Sequence, residues 1–189
     1  MGRGSRHQYY HLADSIFAHQ VDAKKDGKWL GLAGEVDCRR GRRLFTDDWV
    51  MTEPADVTWV HFAGNDFKRP GPRVKCSLPH QFEQVVGRKL CMIRAQSSTL
   101  VFVLWGDWST WCHGFANDQT TEDGQRYDRY CLNLLRIARK HCDDAIHITG
   151  AEINDIQLTS DMWHFAVAAR DDVRQVLTKY RVAVVAPAV

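Results

Sequence analysis

Thr99-Leu100-Val101-Phe102-Val103-Leu104-Trp105, closed by Gly106-Asp107, is the stretch that decides the fold. It runs without the apolar/polar alternation of a half-wet strand. That predicts a strand buried on both faces, the situation of a parallel sheet covered by helices. Upstream, Val57-Thr58-Trp59-Val60-His61-Phe62-Ala63 is β-branched and aromatic and stops at the turn chemistry of Gly64-Asn65-Asp66. Between the two, Lys68-Arg69-Pro70-Gly71-Pro72 enforces irregular backbone. A helix follows it, with Ser77 as cap, Pro79 in the first turn, and Phe82, Val85 and Val86 as an apolar stripe before Gly87. Downstream, Tyr127, Tyr130, Cys131, Leu134, Leu135 and Ala138 fall on one helical face and predict a helix over Gln125–His141. Glu122 and Asp123 at its start and Arg139, Lys140 and His141 at its end suit the macrodipole. Ala145–Thr149 reads as a short strand, Asp161–Tyr180 as mostly helix capped by Ser160 or Asp161, and Arg181–Ala186 as a last strand.

Strand and helix in alternation predict an α/β domain, a three-layer sandwich around a mainly parallel sheet, flavodoxin-like or Rossmann-like in outline. Residues 56–189 form that domain, and residues 1–55 are expected as an N-terminal extension packed on the same core. Within the extension we expect a helix over His7–Gln20, and one or two strands or a hairpin around Trp29–Val36 and Leu44–Val50. The chain has 189 residues, 44% hydrophobic and 25% charged, which fits one folded core and excludes a disordered or collagen-like polymer. No apolar run approaches the roughly 20 residues of a membrane span, and no apolar region follows the basic N-terminus. Six cysteines without a tight framework point to reduced thiols and a cytoplasmic setting. Net charge is only +2. Arg39, Arg40, Arg42 and Arg43 could hold phosphate of RNA or of a nucleotide, but a solvated basic turn is the favoured reading.

In open parallel sheets ligands bind beyond the carboxyl ends of the strands. Three predicted strands end in acids or amides: Gly64-Asn65-Asp66, Gly106-Asp107-Trp108-Ser109 and Thr149-Gly150-Ala151-Glu152. Over residues 56–180 this order resembles the SGNH/GDSL hydrolase superfamily. That family runs strand, Gly-Asp-Ser loop, helix, strand, Gly-x-Asn-Asp loop, helix, strand and a late Asp-x-x-His. The resemblance puts Gly64-Asn65-Asp66 at the first loop, Gly106-Asp107-Trp108 at the second and Asp161-Met162-Trp163-His164 at the last. On that placement Asp66 stands where the family has its nucleophilic Ser, and the second loop lacks the Asn that donates to an oxyanion.

The residues can also be weighed without the family. His164 suits a general base, and Asp161, three residues earlier on the same predicted helical face, would orient it. Ser109 is the nearby hydroxyl for a nucleophile, Asp66 or Asp107 would position water or metal, and Gly64, Asn65, Gly106 and Trp108 would line the substrate. The bland alternative has Asp161 as a helix cap and His164 packed beside Trp163. No cofactor is expected, except on a second reading in which Asp66, Asp107 and Glu152 bind Mg²⁺ or Mn²⁺ for phosphodiester cleavage. His7 and His11 at i, i+4, a zinc set of Cys112, His113, His141 and Cys142, and a Cys131–His164 thiol dyad are weaker arrangements. Trp105, Trp108, Trp111 and Trp163 could stack on a base or sugar, or cover a protein-binding surface. The function expected is hydrolysis of an ester or phosphoester. Its rival is a catalytically inactive binding or accessory protein on the same scaffold.

Overall fold

A computed structural model describes residues 6–17, 32–38, 45, 53–62, 79–111, 121–160 and 164–184. Parallel strands β1 (His7–Ala13), β2 (Glu35–Cys38), β3 (Ala55–Phe62), β4 (Ser97–Trp105) and β5 (Asp144–Ile148) make one sheet in the order β2-β1-β3-β4-β5. Helices α1 (Pro79–Arg94), α2 (Trp108–Trp111), α3 (Thr121–His141), α4 (Gly150–Ile153) and α5 (Arg170–Lys179) accompany 3-10 turns at Ser15–Phe17 and Val167–Ala169. The strand order positions the site. From β1 the chain goes to β2 on one side, then returns to β3 on the other. The C-terminal mouth between β1 and β3 is therefore the switch point at which a parallel sheet opens a crevice.

The apolar run quoted first lies inside β4, paired to β3 on one side and β5 on the other. Phe102, Val103, Leu104 and Trp105 have no exposed surface, as a strand sandwiched between layers requires. Alternation divides the sheet into two faces. Leu12, Val60, Phe62, Phe102 and Leu104 share the face covered by α3, where the Phe62 ring lies 6.3 Å from that of Tyr130. The α3 stripe of Tyr127, Tyr130, Cys131, Leu134, Leu135 and Ala138 is buried, as its spacing predicts. The opposite face carries His11, Trp59, His61 and Trp105, with Phe17 packed on His61 and Trp105 and Phe165 packed on Trp105.

Several expectations change. The described part of the segment predicted helical over His7–Gln20, residues 7–17, is β1 and a 3-10 turn, because β1 is hydrogen-bonded along both edges and buried toward its end. Of the one or two strands or hairpin expected around Trp29–Val36, the described residues show a strand, Glu35–Cys38, paired in parallel with β1. Helix α1 continues through Gly87 to Arg94. The missing side chain admits His141 of α3, whose Nε2 would lie 2.8 Å from a Cβ at that position. Val85, placed in the apolar stripe, is 41% exposed. Of the mostly helical segment expected over Asp161–Tyr180, the described residues give a 3-10 turn at Val167–Ala169 and α5 over Arg170–Lys179, with His164–Ala166 outside any helix. Before the 3-10 turn lies a loop closed by the bridge Leu158↔Phe165, by Thr159 N–H donating to the His164 carbonyl (2.8 Å) and by Ala166 N–H donating to that of Gln157 (2.9 Å). Burial of the Phe165 ring against Trp105 and Trp111 anchors the far end of this loop. Of the last predicted strand, the described residues show an antiparallel bridge between Val184 and Leu32. The strand expected over Leu44–Val50 lies, Phe45 aside, outside the described residues.

Candidate active site

Two clusters of polar groups occupy the carboxyl end of the sheet. Beyond β4, Gly106 turns at φ +73°, where a Cβ would sit 2.4 Å from Trp111 Nε1. Asp107 then accepts on Oδ1 from the Ser109 N–H (2.9 Å) and hydroxyl (2.5 Å), and on Oδ2 from the Gly150 N–H (2.8 Å) beyond β5. Asn154 Nδ2 donates to the Ser109 hydroxyl at 3.2 Å, and Thr110 donates to Asn154 Oδ1 at 2.8 Å. Gly150 is required here, since a Cβ would lie 2.5 Å from Ser109 Oγ and 2.6 Å from Asp107 Oδ1. Partial burial pushes the Asp107 carboxyl up, but the donors from Ser109 and Gly150 outweigh it and hold the group below the usual carboxylate value. Glu152 behaves alike. Against its desolvation, the Tyr180 hydroxyl (2.6 Å) and the N–H (2.9 Å) and hydroxyl of Thr149 keep it ionised.

The second cluster lies at the β1–β3 mouth. Asp14, 1% exposed, follows β1 directly. Its Oδ1 accepts from Ile16 N–H (3.0 Å), which closes an Asx turn and starts the 3-10 turn Ser15–Phe17. Its own N–H donates to the His61 carbonyl (3.1 Å), and the Cys38 thiol donates to its carbonyl (3.1 Å). Beneath the turn, Trp105 Nε1 stands 3.2 Å from His61 Nδ1, His61 Nε2 stands 3.1 Å from His11 Nδ1, and His11 Nε2 stands 3.1 Å from the Ala33 carbonyl. Trp59 stacks on His11 with centroids 4.8 Å apart. Desolvation lowers both imidazoles, His11 to about 3.

The late loop reaches this second cluster. Phe165 N–H donates to the Ile16 carbonyl at 3.4 Å, the long end of hydrogen-bond geometry. Its ring packs on Phe17 (6.4 Å), Trp105 (5.4 Å) and Trp111 (6.3 Å). Half-buried His164 is thereby set one residue from the turn after β1. Of the residues the sequence singles out, Gly106, Asp107 and Ser109 come together, with Trp108 opening α2 and Glu152 on α4. Gly64, Asn65, Asp66, Asp161, Cys112, His113 and the arginines 39, 40, 42 and 43 lie outside the described residues. Among the described residues no group of three His, Cys, Asp or Glu is arranged to hold a metal ion. Cys131 and Cys142 are raised to about 12, chiefly by burial, and His141 Nδ1 lies 3.4 Å from the Cys91 thiol. None of the described cysteines is in a disulfide, and no described helix is long and apolar enough to cross a membrane.

Asp14 and Ser15 are not among the residues singled out from the sequence, and His11 and His61 enter there only as half of an i, i+4 histidine pair and as part of a strand. A helix drawn over His7–Gln20 hides the signal, an acid-serine pair two residues after Leu12.

The architecture is an SGNH-like α/β fold. It is similar to the crystal structure of Axe2, an acetylxylan esterase from Geobacillus stearothermophilus, with a TM-score of 0.60 and 11% identity over 94% of each chain. A catalytic mutant of the same esterase gives a TM-score of 0.62 and 11% identity over 95% of each chain. A carbohydrate esterase with divergent catalytic and non-catalytic binding functions gives 0.56 and 8% identity, over 92% of this chain and 68% of that one. At such identities the likeness is one of fold. The sequence matches no family model and no curated protein.

Proposed function

We propose that the chain is an ester hydrolase in which Ser15 is the nucleophile and His164 its general base. Asp161 orients the imidazole, and Asn65 with backbone N–H groups receives the oxyanion. The observation that carries this reading is the bond from Phe165 N–H to the Ile16 carbonyl, which docks the Asp-x-x-His loop on the turn that opens with Ser15. Counted from β1, the family order falls on Ala13-Asp14-Ser15, then Ala63-Gly64-Asn65-Asp66, then Asp161-Met162-Trp163-His164. Two departures remain: Ala13 replaces the first glycine, and Gly64 adjoins Asn65 directly. Ser109 is less suited, because its hydroxyl already donates to Asp107 and accepts from Asn154. The esterases of similar fold support the reaction class, and one of them is a catalytic mutant carrying a serine-to-alanine replacement near its N-terminus.

In this mechanism the Ser15 hydroxyl attacks the ester carbonyl while His164 takes its proton. The alcohol leaves with that proton, and water, activated by the same imidazole, releases the acid. Oxyanion donors act where negative charge develops. The test is labelling by a fluorophosphonate probe together with p-nitrophenyl acetate hydrolysis. The parent should label on the peptide containing Ser15, and Ser15→Ala and His164→Ala should each lose at least about 10³-fold in rate. Labelling that persists in Ser15→Ala removes the nucleophile assignment. A folded parent that neither labels nor hydrolyses favours an inactive binding protein. p-Nitrophenyl phosphate with added Mg²⁺ or Mn²⁺ tests the metal reading on Asp66, Asp107 and Glu152.

A further inference from the structure

The buried chain Trp105–His61–His11–Ala33 has only one consistent polarity. An indole N–H can only donate and a carbonyl can only accept, so the two ends are fixed. His61 must then accept on Nδ1 and donate from Nε2, and His11 must do the same one step further on. Both rings are neutral Nε2–H tautomers, and every ring nitrogen is used once. A proton added to His61 would set its Nδ1–H against the Trp105 N–H. Burial pushes both imidazoles toward the same neutral state.

Packing two histidines into a sheet face is costly unless every polar atom is satisfied, and apolar residues of similar shape could fill that volume. What the chain adds is geometric. It ties β1 through His11, β3 through His61 and β4 through Trp105, across the mouth between β1 and β3. Its centre also touches the turn after β1 twice. The His61 carbonyl holds Asp14 N–H at 3.1 Å, and the His61 ring meets the edge of Phe17 at 5.2 Å. Phe17 in turn stands edge-on to Trp105 at 5.6 Å. The turn Ser15–Phe17 is thus gripped at both ends by one residue of the neighbouring strand.

We infer that His61, backed by His11 and Trp105, is a positioning residue that sets the place of Ser15 at the β1–β3 mouth; this rests on the reading of Ser15 as nucleophile. It touches no substrate and acts through the turn. Two measurements test it. In ¹⁵N-histidine-labelled protein at pH 7, NMR should show both rings with a protonated Nε2 and a bare Nδ1. A protonated Nδ1 or a charged ring on either residue overturns the inference. In kinetics, His61→Phe keeps the shape but unpairs Trp105 Nε1 and His11 Nδ1. Its kcat for p-nitrophenyl acetate should fall at least about tenfold with KM within about twofold, the mark of a displaced nucleophile. His61→Gln, which retains a donor toward His11, should recover part of the loss. If His61→Phe does not fold, His11→Gln takes its place, with a fall in kcat expected. A parental kcat in whichever variant folds overturns the inference and leaves the Ser15 reading standing. A folded parent that the fluorophosphonate does not label removes that reading first.

Discussion

The two ends of the sheet's mouth handle polar groups in opposite ways. At the β4–β5 end the acids that stand out in the sequence are spent on neighbouring loops. Asp107 clasps Ser109 and Gly150, and Glu152 clasps Thr149 and Tyr180. A carboxylate that accepts this many donors is a weak base, and its lowered pKa says so. At the β1–β3 end the polar chain is buried under the turn, and the Asp-x-x-His loop docks on that turn from outside. Acids at strand ends are therefore a poor guide to a reactive mouth. The better guide is where segments far apart in the chain converge, as Phe165 and the turn after β1 do.

Exchanging the two serines should break this comparison most sharply. Ser15→Ala should cost at least about 10³-fold in kcat/KM for p-nitrophenyl acetate, and Ser109→Ala no more than about threefold. Equal losses would show that both ends serve the reaction. Acid should separate the ends next. His11 and His61 have folded pKa values below the 6.5 of a free histidine. Their contribution to stability is therefore complete above pH 6.5 and is lost as pH falls below it, because the unfolded chain takes up protons the folded chain refuses. Between pH 7 and 5 each histidine should cost about 2 kcal/mol of stability, about 4 for the pair, with the slope steepening toward about 1.4 kcal/mol per pH unit each below pH 6, read from urea unfolding at pH 7, 6 and 5. Asp107 and Glu152, lowered from ordinary carboxylate values, also lose stability as pH falls, but below that window. A flat profile from pH 7 to 5 would mean the imidazoles are not held neutral.

A smaller effect should come from Gly150→Ala. Its Cβ would meet Asp107 and Ser109 inside van der Waals distance, costing about 1–3 kcal/mol and lowering the melting temperature. An unchanged melting temperature would show that the β4–β5 clasp yields freely. The smallest belongs to the outer surface, where Glu83 on α1 meets Arg136 and Lys140 of α3. Those cations hold its carboxyl down to about 2, yet Arg136 and Lys140 are exposed to water and Glu83 is partly so. Glu83→Gln should leave the melting temperature within experimental error, because exposed ion pairs are screened.

Patterning made much of the scaffold legible. Trp105 and the run before it, the α3 stripe from Tyr127 to Ala138, and the β-branched Val57–Phe62 all show in the sequence what they do in the fold. Each buries a continuous apolar surface with the period of its own backbone. The candidate site was less legible. His7–Ala13 carries no such period that separates strand from helix, and it becomes a strand because β2 and β3 flank it. His164 lies outside a helix, beside Phe165, whose ring is drawn into the aromatic cluster, so its helix-like spacing from Asp161 is no guide to its place.

By itself, then, the amino-acid order determines the class of fold and the inner strands and helices, since local periodicity and burial point the same way in those segments. That Phe165, next to the late histidine, meets the turn after β1, and that two buried imidazoles join β1 to β3 beneath that turn, only the tertiary structure decides. Both depend on strand order and on contacts between residues far apart in the chain, and neither leaves a periodic trace in the sequence.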